Sequence, residues 1–199
     1  WIQSLNMHAR GEHIPARDYQ IQAVHTALTL NRTILLSPTA SGKSFMIYCI
    51  IRWHIEAGRR CMIVVPTTSL VEQLYSDFED YSSHNGFEVG GHCQKLYSGF
   101  TREFTKDVLI TTWQSIYKQP KSWFQQFDVV IGDEAHQFKA TSLISIMEKM
   151  QQVKYRIGTT GTIDNKKVNK LTLEGLFGPV YKVITTKELM EKGKVVNID

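Results

Sequence analysis

The sequence predicts an α/β fold in which a central, mostly parallel β-sheet carries helices on both faces. Five short apolar segments lack the in–out alternation of a half-exposed strand, and segments with helical periodicity separate them. Because strand–helix–strand order favours right-handed crossovers, consecutive strands are expected to run parallel. The chain has 199 residues, enough for one domain with a substantial core.

The five predicted strands are β-branched or apolar at nearly every position, and they span residues 34–36, 61–65, 107–111, 127–131 and 155–158. Predicted helices span residues 44–57, 69–81 and 142–150, where apolar side chains recur at helical spacing. Residues 82–104 are rich in Gly and His, which indicates a loop with a short strand. The basic residues 166–170 indicate an exposed loop or the start of a helix.

Composition excludes few functions. The net charge of +4 permits a polyanionic partner but does not require one. The cysteines Cys49, Cys61 and Cys93 have no zinc-site spacing, and Cys49 and Cys61 lie in apolar runs, so we expect these two in the core. The sparse, odd count of cysteines indicates a reducing, cytoplasmic compartment. No apolar run approaches the roughly 20 residues of a membrane helix, so no membrane partner is expected.

A phosphate-binding loop is predicted between the first strand and the first helix. Its residues are Ser37, Pro38, Thr39, Ala40, Ser41, Gly42, Lys43 and Ser44. Backbone N–H groups at such a turn point at phosphate oxygens, Lys43 would reach the β- and γ-phosphates, and Ser44 would bind Mg²⁺. Ser37 replaces the first Gly of the usual G-x-x-x-x-G-K-[ST] pattern, so this segment alone leaves open a chance Gly-Lys-Ser in a polar turn.

A second polar group follows the fourth predicted strand, where the sequence reads Gly132-Asp133-Glu134-Ala135-His136. Asp133 would hold Mg²⁺ opposite Ser44, and Glu134 would orient and deprotonate an attacking water. His136 would link this site to its surroundings by hydrogen bonds. An isolated Asp-Glu pair could be a solvated helix start. Its occurrence together with the phosphate loop favours a catalytic site, with Glu134, Lys43 and Asp133 as the catalytic residues.

With these two motifs the chain resembles the superfamily 2 helicases of the DEAH-box type. The resemblance runs from about Arg17 to Gly193 and implies a RecA-like P-loop NTPase domain that uses ATP and Mg²⁺. Residues 17–23 resemble the Q-type motif of these helicases, which implies that Gln20 hydrogen-bonds adenine with Arg17 near the base. The same segment could also be an ordinary polar helix start.

Two further segments resemble motifs Ia and Ic of this superfamily. The resemblance implies contacts with a nucleic-acid backbone by Pro66, Thr67, Thr68, Thr111, Thr112 and Gln114. A hydroxyl at such a position can equally be a helix cap without any ligand. Residues 157–162 occupy the position of motif III, which implies that Thr160 and Thr162, together with His136, couple the state of ATP to strand binding.

The resemblance also suggests how the chain is organised. Residues 1–16 are expected to be a lead-in, 17–193 the first motor domain, and 194–199 the start of a linker to a second motor domain. In this superfamily the second domain supplies arginine fingers, which are worth about 10³–10⁵ in rate where measured. We therefore expect the 199 residues to be a piece of a longer chain and to hydrolyse ATP poorly alone.

The resemblance implies an ATP-dependent DNA helicase or translocase that acts on branched DNA in recombination, repair and replication. Its expected partners are single-stranded or branched DNA and the second lobe of the same chain. An RNA helicase and the motor subunit of an ATP-dependent restriction nuclease stay open as alternatives. A kinase or transport ATPase is disfavoured because the D-E-A-H segment and the Thr-rich strand ends have no role there. A binding module with a decayed site is disfavoured because the phosphate loop and both acids are intact.

Overall fold

The computed structural model describes residues 1–100, 103–163 and 169–193. Within them the strands are β1 (His8–Ala9), β2 (Glu12–His13), β3 (Arg32–Leu36), β4 (Cys61–Val65), β5 (Cys93–Leu96), β6 (Val108–Thr112), β7 (Val129–Asp133), β8 (Tyr155–Thr160) and β9 (Val180–Lys182). The helices are α1 (Asp18–Leu30), α2 (Lys43–Glu56), α3 (Thr68–Ser82), α4 (Val89–His92), α5 (Trp113–Ile116), α6 (Lys121–Phe124), α7 (Ala140–Lys149), α8 (Lys170–Phe177) and α9 (Thr186–Glu191). Single 3₁₀ turns cover Ile2–Leu5 and Ala135–Gln137.

The central sheet has seven strands in the order β5–β6–β4–β7–β8–β3–β9, and every pair of neighbours is parallel. This confirms the predicted fold class, and the five predicted strands correspond to β3, β4, β6, β7 and β8. The short strand expected within residues 82–104 is β5, at one edge. Strand β9 at the other edge was not predicted, because its Val-Tyr-Lys sequence is only partly buried and lacks the apolar run that predicted the central strands. A separate antiparallel hairpin joins β1 to β2.

Alternate residues of each central strand enter different cores, one on each face of the sheet. Cys61, Ile63 and Val65 of β4 pack with α1, α2 and α3, whereas Met62 and Val64 pack with α5, α6, α7 and α8. All five of these side chains are buried. Because both faces are covered, the strand is apolar throughout, which is the pattern that predicted it.

The packing of one aromatic ring explains why a glycine precedes Asp133 and Glu134. A Cβ atom built on Gly132 would lie 2.8 Å from the Phe177 ring, and one on Gly158 of β8 would lie 3.1 Å from it. Phe177, at the end of α8, is fully buried over these two neighbouring glycines. The ring therefore packs directly on the sheet beneath the acidic strand end.

The structure confirms that Cys49 and Cys61 lie in the core, and it buries Cys93 as well; all three are free thiols. Desolvation raises the pKa of Cys49 and of Cys93 to about 12 and raises the pKa of Cys61 as well. These thiols stay protonated and unreactive near neutral pH. Residues 166–168 of the predicted basic stretch lie outside the described residues, as does the predicted linker 194–199.

Among residues 1–100, 103–163 and 169–193, no helix combines the length and the apolar character that crossing a bilayer requires.

Candidate active site

The carboxyl ends of β7, β8 and β3 lie side by side, because these strands are neighbours in the sheet. A cavity of about 330 Å³ opens there, bordered on its far side by one face of α3. Predicted residues that line it are Ser37, Pro38, Thr39, Ala40, Gly42, Lys43, Ser44, Asp133 and Glu134. The structure therefore brings both sequence motifs together at the carboxyl ends of the parallel strands, which is where ligands of such folds bind.

The loop between β3 and α2 is held in a conformation that few residues adopt. Ala40 has φ 67° and Gly42 has φ 84°, both in the left-handed region. A Cβ atom on Gly42 would lie 2.1 Å from Gln20 Nε2, so both backbone angle and space require glycine here. The buried hydroxyls of Ser37 and Ser41 bond to each other across the loop. The turn is thus fixed before any ligand arrives.

The Q-type segment braces this loop from behind. Gln20 Nε2 and the Tyr19 hydroxyl both donate to the Ser41 carbonyl oxygen, each at 3.0 Å. Gln20 Oε1 accepts the backbone N–H of Arg17 at 2.9 Å, and Arg17 Nη1 donates to the Tyr19 hydroxyl at 2.7 Å. An amide has a second N–H and a second acceptor lone pair, so Gln20 keeps the capacity for another partner. Its contact with adenine, and that of Arg17 with the base, stay predictions.

Lys43 sits between the two acids. Its Nζ lies 3.3 Å from Asp133 Oδ1 and also contacts Glu134 Oε1. Asp133 Oδ1 accepts a 2.6 Å hydrogen bond from the hydroxyl of Thr159, a fully buried residue of β8. Thr159 was not among the predicted site residues, although it lies within the segment 157–162 that resembled motif III. Nothing in a Thr-Thr pair shows which hydroxyl faces the neighbouring strand.

The backbone of Glu134 is also unusual, since a non-glycine residue with φ 49° is in a strained, left-handed conformation. It places the Glu134 carboxylate beside Lys43 and 3.3 Å from His136 Nδ1. Strain of this kind persists only where the surrounding structure enforces it. Here the buried strand β7 on one side and the 3₁₀ turn Ala135–Gln137 on the other enforce it.

His136 joins the acidic segment to the end of β8. The Thr160 hydroxyl donates its hydrogen to the Thr162 carbonyl oxygen at 2.5 Å, so it must accept from His136 Nδ1–H, also at 2.5 Å. Burial, and then the positive charge of Lys43, lower the pKa of His136. We therefore assign His136 as neutral and protonated on Nδ1. The three residues predicted to couple form one hydrogen-bonded chain.

A contact from α3 reaches the site as well. The Tyr81 hydroxyl lies 2.6 Å from Ser44 Oγ, and Gln73 and Asp77 of the same helix line the cavity, joined by a 2.9 Å hydrogen bond. Burial, together with the nearby Asp77 carboxylate, raises the pKa of Tyr81 to about 12. These residues were not predicted as part of the site, because helical periodicity accounts for Tyr81 as a core residue.

The donor set fits Mg²⁺ and a phosphate chain. Ser44 and the Asp133 carboxylate both line the cavity and are hard oxygen donors. Mg²⁺ is commonly held by one or two carboxylates and completes its shell with phosphate and water oxygens. Lys43 and the N-terminal N–H groups of α2 supply the positive potential that phosphates require. The residues present therefore suit a nucleotide with its metal.

The segments predicted to contact nucleic acid follow β4 and β6, which are neighbouring strands. Thr67, Thr68 and Gln114 are exposed there. The Thr67 hydroxyl caps α3 by accepting the N–H of Leu70 at 3.3 Å. Pro66 is buried, and its carbonyl oxygen accepts a 3.3 Å hydrogen bond from Gln114 Nε2, which ties the two segments together.

Two of the predicted contact residues have buried side chains. Thr111 and Thr112 are the last residues of β6, a strand covered on both faces, and their side chains are buried. The Thr111 hydroxyl donates to the Thr112 carbonyl oxygen, and the Thr112 hydroxyl pairs with Ser115 Oγ at 2.8 Å. Neither side chain is available to a backbone phosphate in this structure, whereas Thr67, Thr68 and Gln114 of the predicted contact residues are exposed.

Comparison with known proteins agrees with this geometry. A protein-family model described as "Type III restriction enzyme, res subunit" matches residues 13–165. The chain is 33% identical over its whole length to the ATP-dependent DNA helicase uvsW of Enterobacteria phage T4. It is 28% identical over 96% of its length to the DNA 3'-5' translocase XPB2 of Sulfurisphaera tokodaii. It spans 40% of the length of each of these relatives.

Solved structures give the same result. A crystal structure of T4 UvsW superposes with a TM-score of 0.85 at 31% identity, over 94% of this chain and 38% of that one. The helicase MrfA bound to DNA and AMPPNP gives a TM-score of 0.68 over 88% of this chain and 28% of that one; its 18% identity supports the fold alone. The sheet described above is therefore that of a RecA-like helicase domain. Because the family model covers well over half of its residues, the chain belongs to the family described as "Type III restriction enzyme, res subunit".

Proposed function

We propose that this chain is the ATP-binding first motor lobe of an ATP-dependent DNA helicase or translocase. One observation carries the proposal: Lys43, Ser44, Asp133 and Glu134 converge on a single cavity from two strand ends. The sequence relatives include a DNA helicase and a DNA translocase, which supports a nucleic-acid motor over other P-loop enzymes.

Each group has a distinct task in this proposal. Ser44 and Asp133 would hold Mg²⁺, which when bound offsets negative charge on the phosphates. Lys43 would exchange its contacts with the two carboxylates for contacts with phosphate oxygens. Glu134, freed from Lys43, would orient the attacking water and accept its proton on the carboxylate. The His136 ring, whose Nδ1 lies 3.3 Å from Glu134 Oε2, would help to keep that carboxylate in position.

The proposed partner is single-stranded or branched DNA, as in recombination, repair and replication, bound across the exposed Thr67, Thr68 and Gln114. Hydroxyl and amide groups of this kind suit phosphate contacts without base preference. We further propose the expected division into a lead-in (1–16), motor lobe (17–193) and linker (194–199), with a second RecA-like lobe in the same full-length protein. We also propose a cytoplasmic location, which for a phage protein means the cytoplasm of the host cell.

A second candidate is the motor of an ATP-dependent restriction nuclease, which the description of the matching family favours. The two candidates share the motor chemistry and differ in DNA cleavage. Incubating the full-length protein with long duplex DNA, ATP and Mg²⁺ separates them, because only a nuclease leaves shortened fragments. An RNA helicase is the third possibility, and RNA-dependent hydrolysis identifies it.

The proposal is tested by ATP hydrolysis of the full-length protein without nucleic acid and with single-stranded DNA, branched DNA or RNA. We expect strong stimulation by DNA, greatest with branched DNA, that falls steeply as salt rises. Stimulation by RNA alone would transfer the assignment to an RNA motor. Hydrolysis that no polymer stimulates would contradict a nucleic-acid motor.

A further inference from the structure

We propose that Tyr81 is a positioning residue for Ser44 and that it fixes the serine hydroxyl for Mg²⁺. The inference rests on the proposed function, because it concerns the metal that accompanies ATP. It adds a residue of α3, which lies far along the chain from both motifs, to the machinery of the site. Tyr81 acts through Ser44 and is not expected to touch the nucleotide.

The Tyr81 ring is held firmly by α2, the helix that carries Ser44. It packs edge-on against Phe45 with ring centroids 5.8 Å apart and against Tyr48 with centroids 5.5 Å apart. The residue is only 8% exposed. With the ring fixed, the hydroxyl oxygen has a defined place 2.6 Å from Ser44 Oγ. Tyr81 therefore provides a rigid hydrogen-bond partner for Ser44.

The chemistry of a serine hydroxyl gives this contact its role. The group has one hydrogen and two acceptor lone pairs. When a lone pair of Ser44 Oγ binds Mg²⁺, its hydrogen must point elsewhere, and Tyr81 Oη is positioned to accept it. Without that acceptor Ser44 can turn among its staggered rotamers, only some of which direct oxygen to the metal. The hydrogen bond thus selects the rotamer that binds Mg²⁺.

The surroundings support a role in the site rather than in packing alone. The face of α3 that carries Tyr81 also borders the cavity with Gln73 and Asp77. Their 2.9 Å hydrogen bond presents polar groups to the space beside Ser44. Tyr81 therefore lies on the face of α3 that borders the cavity.

The chain offers a matched control. Tyr48 of α2 and Ser82 of α3 form a buried Tyr–Ser hydrogen bond of 2.7 Å between the same two helices. It joins the same two residue types at a similar length but does not involve Ser44, and the Tyr48 hydroxyl also accepts hydrogen bonds from Arg52 Nη1 at 2.8 Å and from Asn85 Nδ2 at 3.2 Å. Tyr48→Phe therefore removes at least as many hydrogen bonds from this helix pair as Tyr81→Phe does, so a loss of affinity confined to Tyr81→Phe reports on Ser44 and the metal.

The experiment measures binding of a fluorescent, non-hydrolysable ATP analogue to the full-length protein with Mg²⁺ and with EDTA. For Tyr81→Phe we expect affinity with Mg²⁺ to fall about 3–10-fold, the usual range for one hydrogen bond, and affinity in EDTA to stay within about twofold. Tyr48→Phe should leave both affinities unchanged. In a Ser44→Ala background, Tyr81→Phe should have no further effect, because its partner is gone.

Three results would overturn the inference while leaving the proposed function standing. They are unchanged Mg²⁺ dependence in Tyr81→Phe, an equal loss in Tyr48→Phe, and an effect of Tyr81→Phe that persists fully without the Ser44 hydroxyl. A wild-type protein that binds no analogue, or binds it without regard to Mg²⁺, overturns the proposed function and this inference with it. Thermal unfolding of all variants shows whether they are folded.

Discussion

Lys43 Nζ lies 3.3 Å from Asp133 Oδ1 and also contacts the carboxylate of Glu134, so one cation serves both acids of the site. The arrangement balances charge within the cavity and keeps the side chains of the two motifs together. A phosphate that enters must draw Lys43 away from these carboxylates. The exchange leaves Asp133 available to a metal and Glu134 available to water.

Replacing Lys43 with alanine removes the cation from both acids and from any phosphate. We expect nucleotide binding to weaken by at least about tenfold, since one charged hydrogen bond contributes roughly 1.5–3 kcal/mol. Titration with a fluorescent ATP analogue measures this. Lys139→Ala, at an exposed position before α7, is the control. Equal affinity in Lys43→Ala and wild type would exclude Lys43 as a phosphate ligand.

Thr159→Val tests how Asp133 is positioned. Valine keeps the shape of the buried residue but removes the 2.6 Å hydrogen bond to Asp133 Oδ1. We expect ATP hydrolysis to fall about tenfold, in line with a bond to a charged group. Thr33→Val is the control, because it removes a buried strand hydroxyl that donates to the Pro179 carbonyl oxygen, away from the acids. If both variants lose activity equally, the Thr159 bond has only a structural role.

Gly132→Ala tests the packing of Phe177. The added Cβ would lie 2.8 Å from the ring, so the strand or the ring must move. We expect the free energy of unfolding to drop by about 1–3 kcal/mol, as for other overpacked cores. Urea denaturation measures it, and Phe177→Leu in the same chain should restore part of the loss. A fully stable Gly132→Ala protein would contradict the close packing described here.

The free energy of unfolding should depend on pH through the titration of His54. Burial, reinforced by the Arg59 charge, lowers the pKa of His54 to about 4 from its ordinary 6.5. Between these values the unfolded chain binds a proton that the native state does not. Stability from this group is therefore present above pH 6.5 and is lost as pH falls toward 4, by on the order of 2–3 kcal/mol. Urea denaturation at several pH values should show that the free energy of unfolding depends less steeply on pH in His54→Gln than in wild type. An identical pH dependence in the two proteins would refute this role of His54.

The sequence predicted what depends on local pattern. The strands β3, β4, β6, β7 and β8 were recognisable because burial on both faces makes them apolar throughout. The phosphate loop and the acidic strand end were recognisable because each is a short run of unusual residues at a strand end. The meeting of the two motifs in space was predictable because the carboxyl ends of parallel strands lie on the same side of the sheet.

The remainder depends on contacts between distant segments. Tyr81 looks like any aromatic residue on the buried face of a helix, and only the packing of α3 on α2 brings it to Ser44. Thr159 lies beside Asp133 because the register of β7 and β8 pairs these two residues. Conversely, Thr111 and Thr112 were predicted as contacts, but the sheet buries them. Local pattern does not reveal register or helix packing.

Glu134→Gln tests most directly our proposal that this cavity hydrolyses ATP with Glu134 as the base. The amide keeps the shape of the side chain but cannot accept the proton of water. Glu148→Gln, on the exposed side of α7, is the control. In the full-length protein we predict that Glu134→Gln binds the ATP analogue as well as wild type but loses at least about 100-fold in hydrolysis, the low end of general-base contributions. Wild-type hydrolysis by Glu134→Gln would contradict the account.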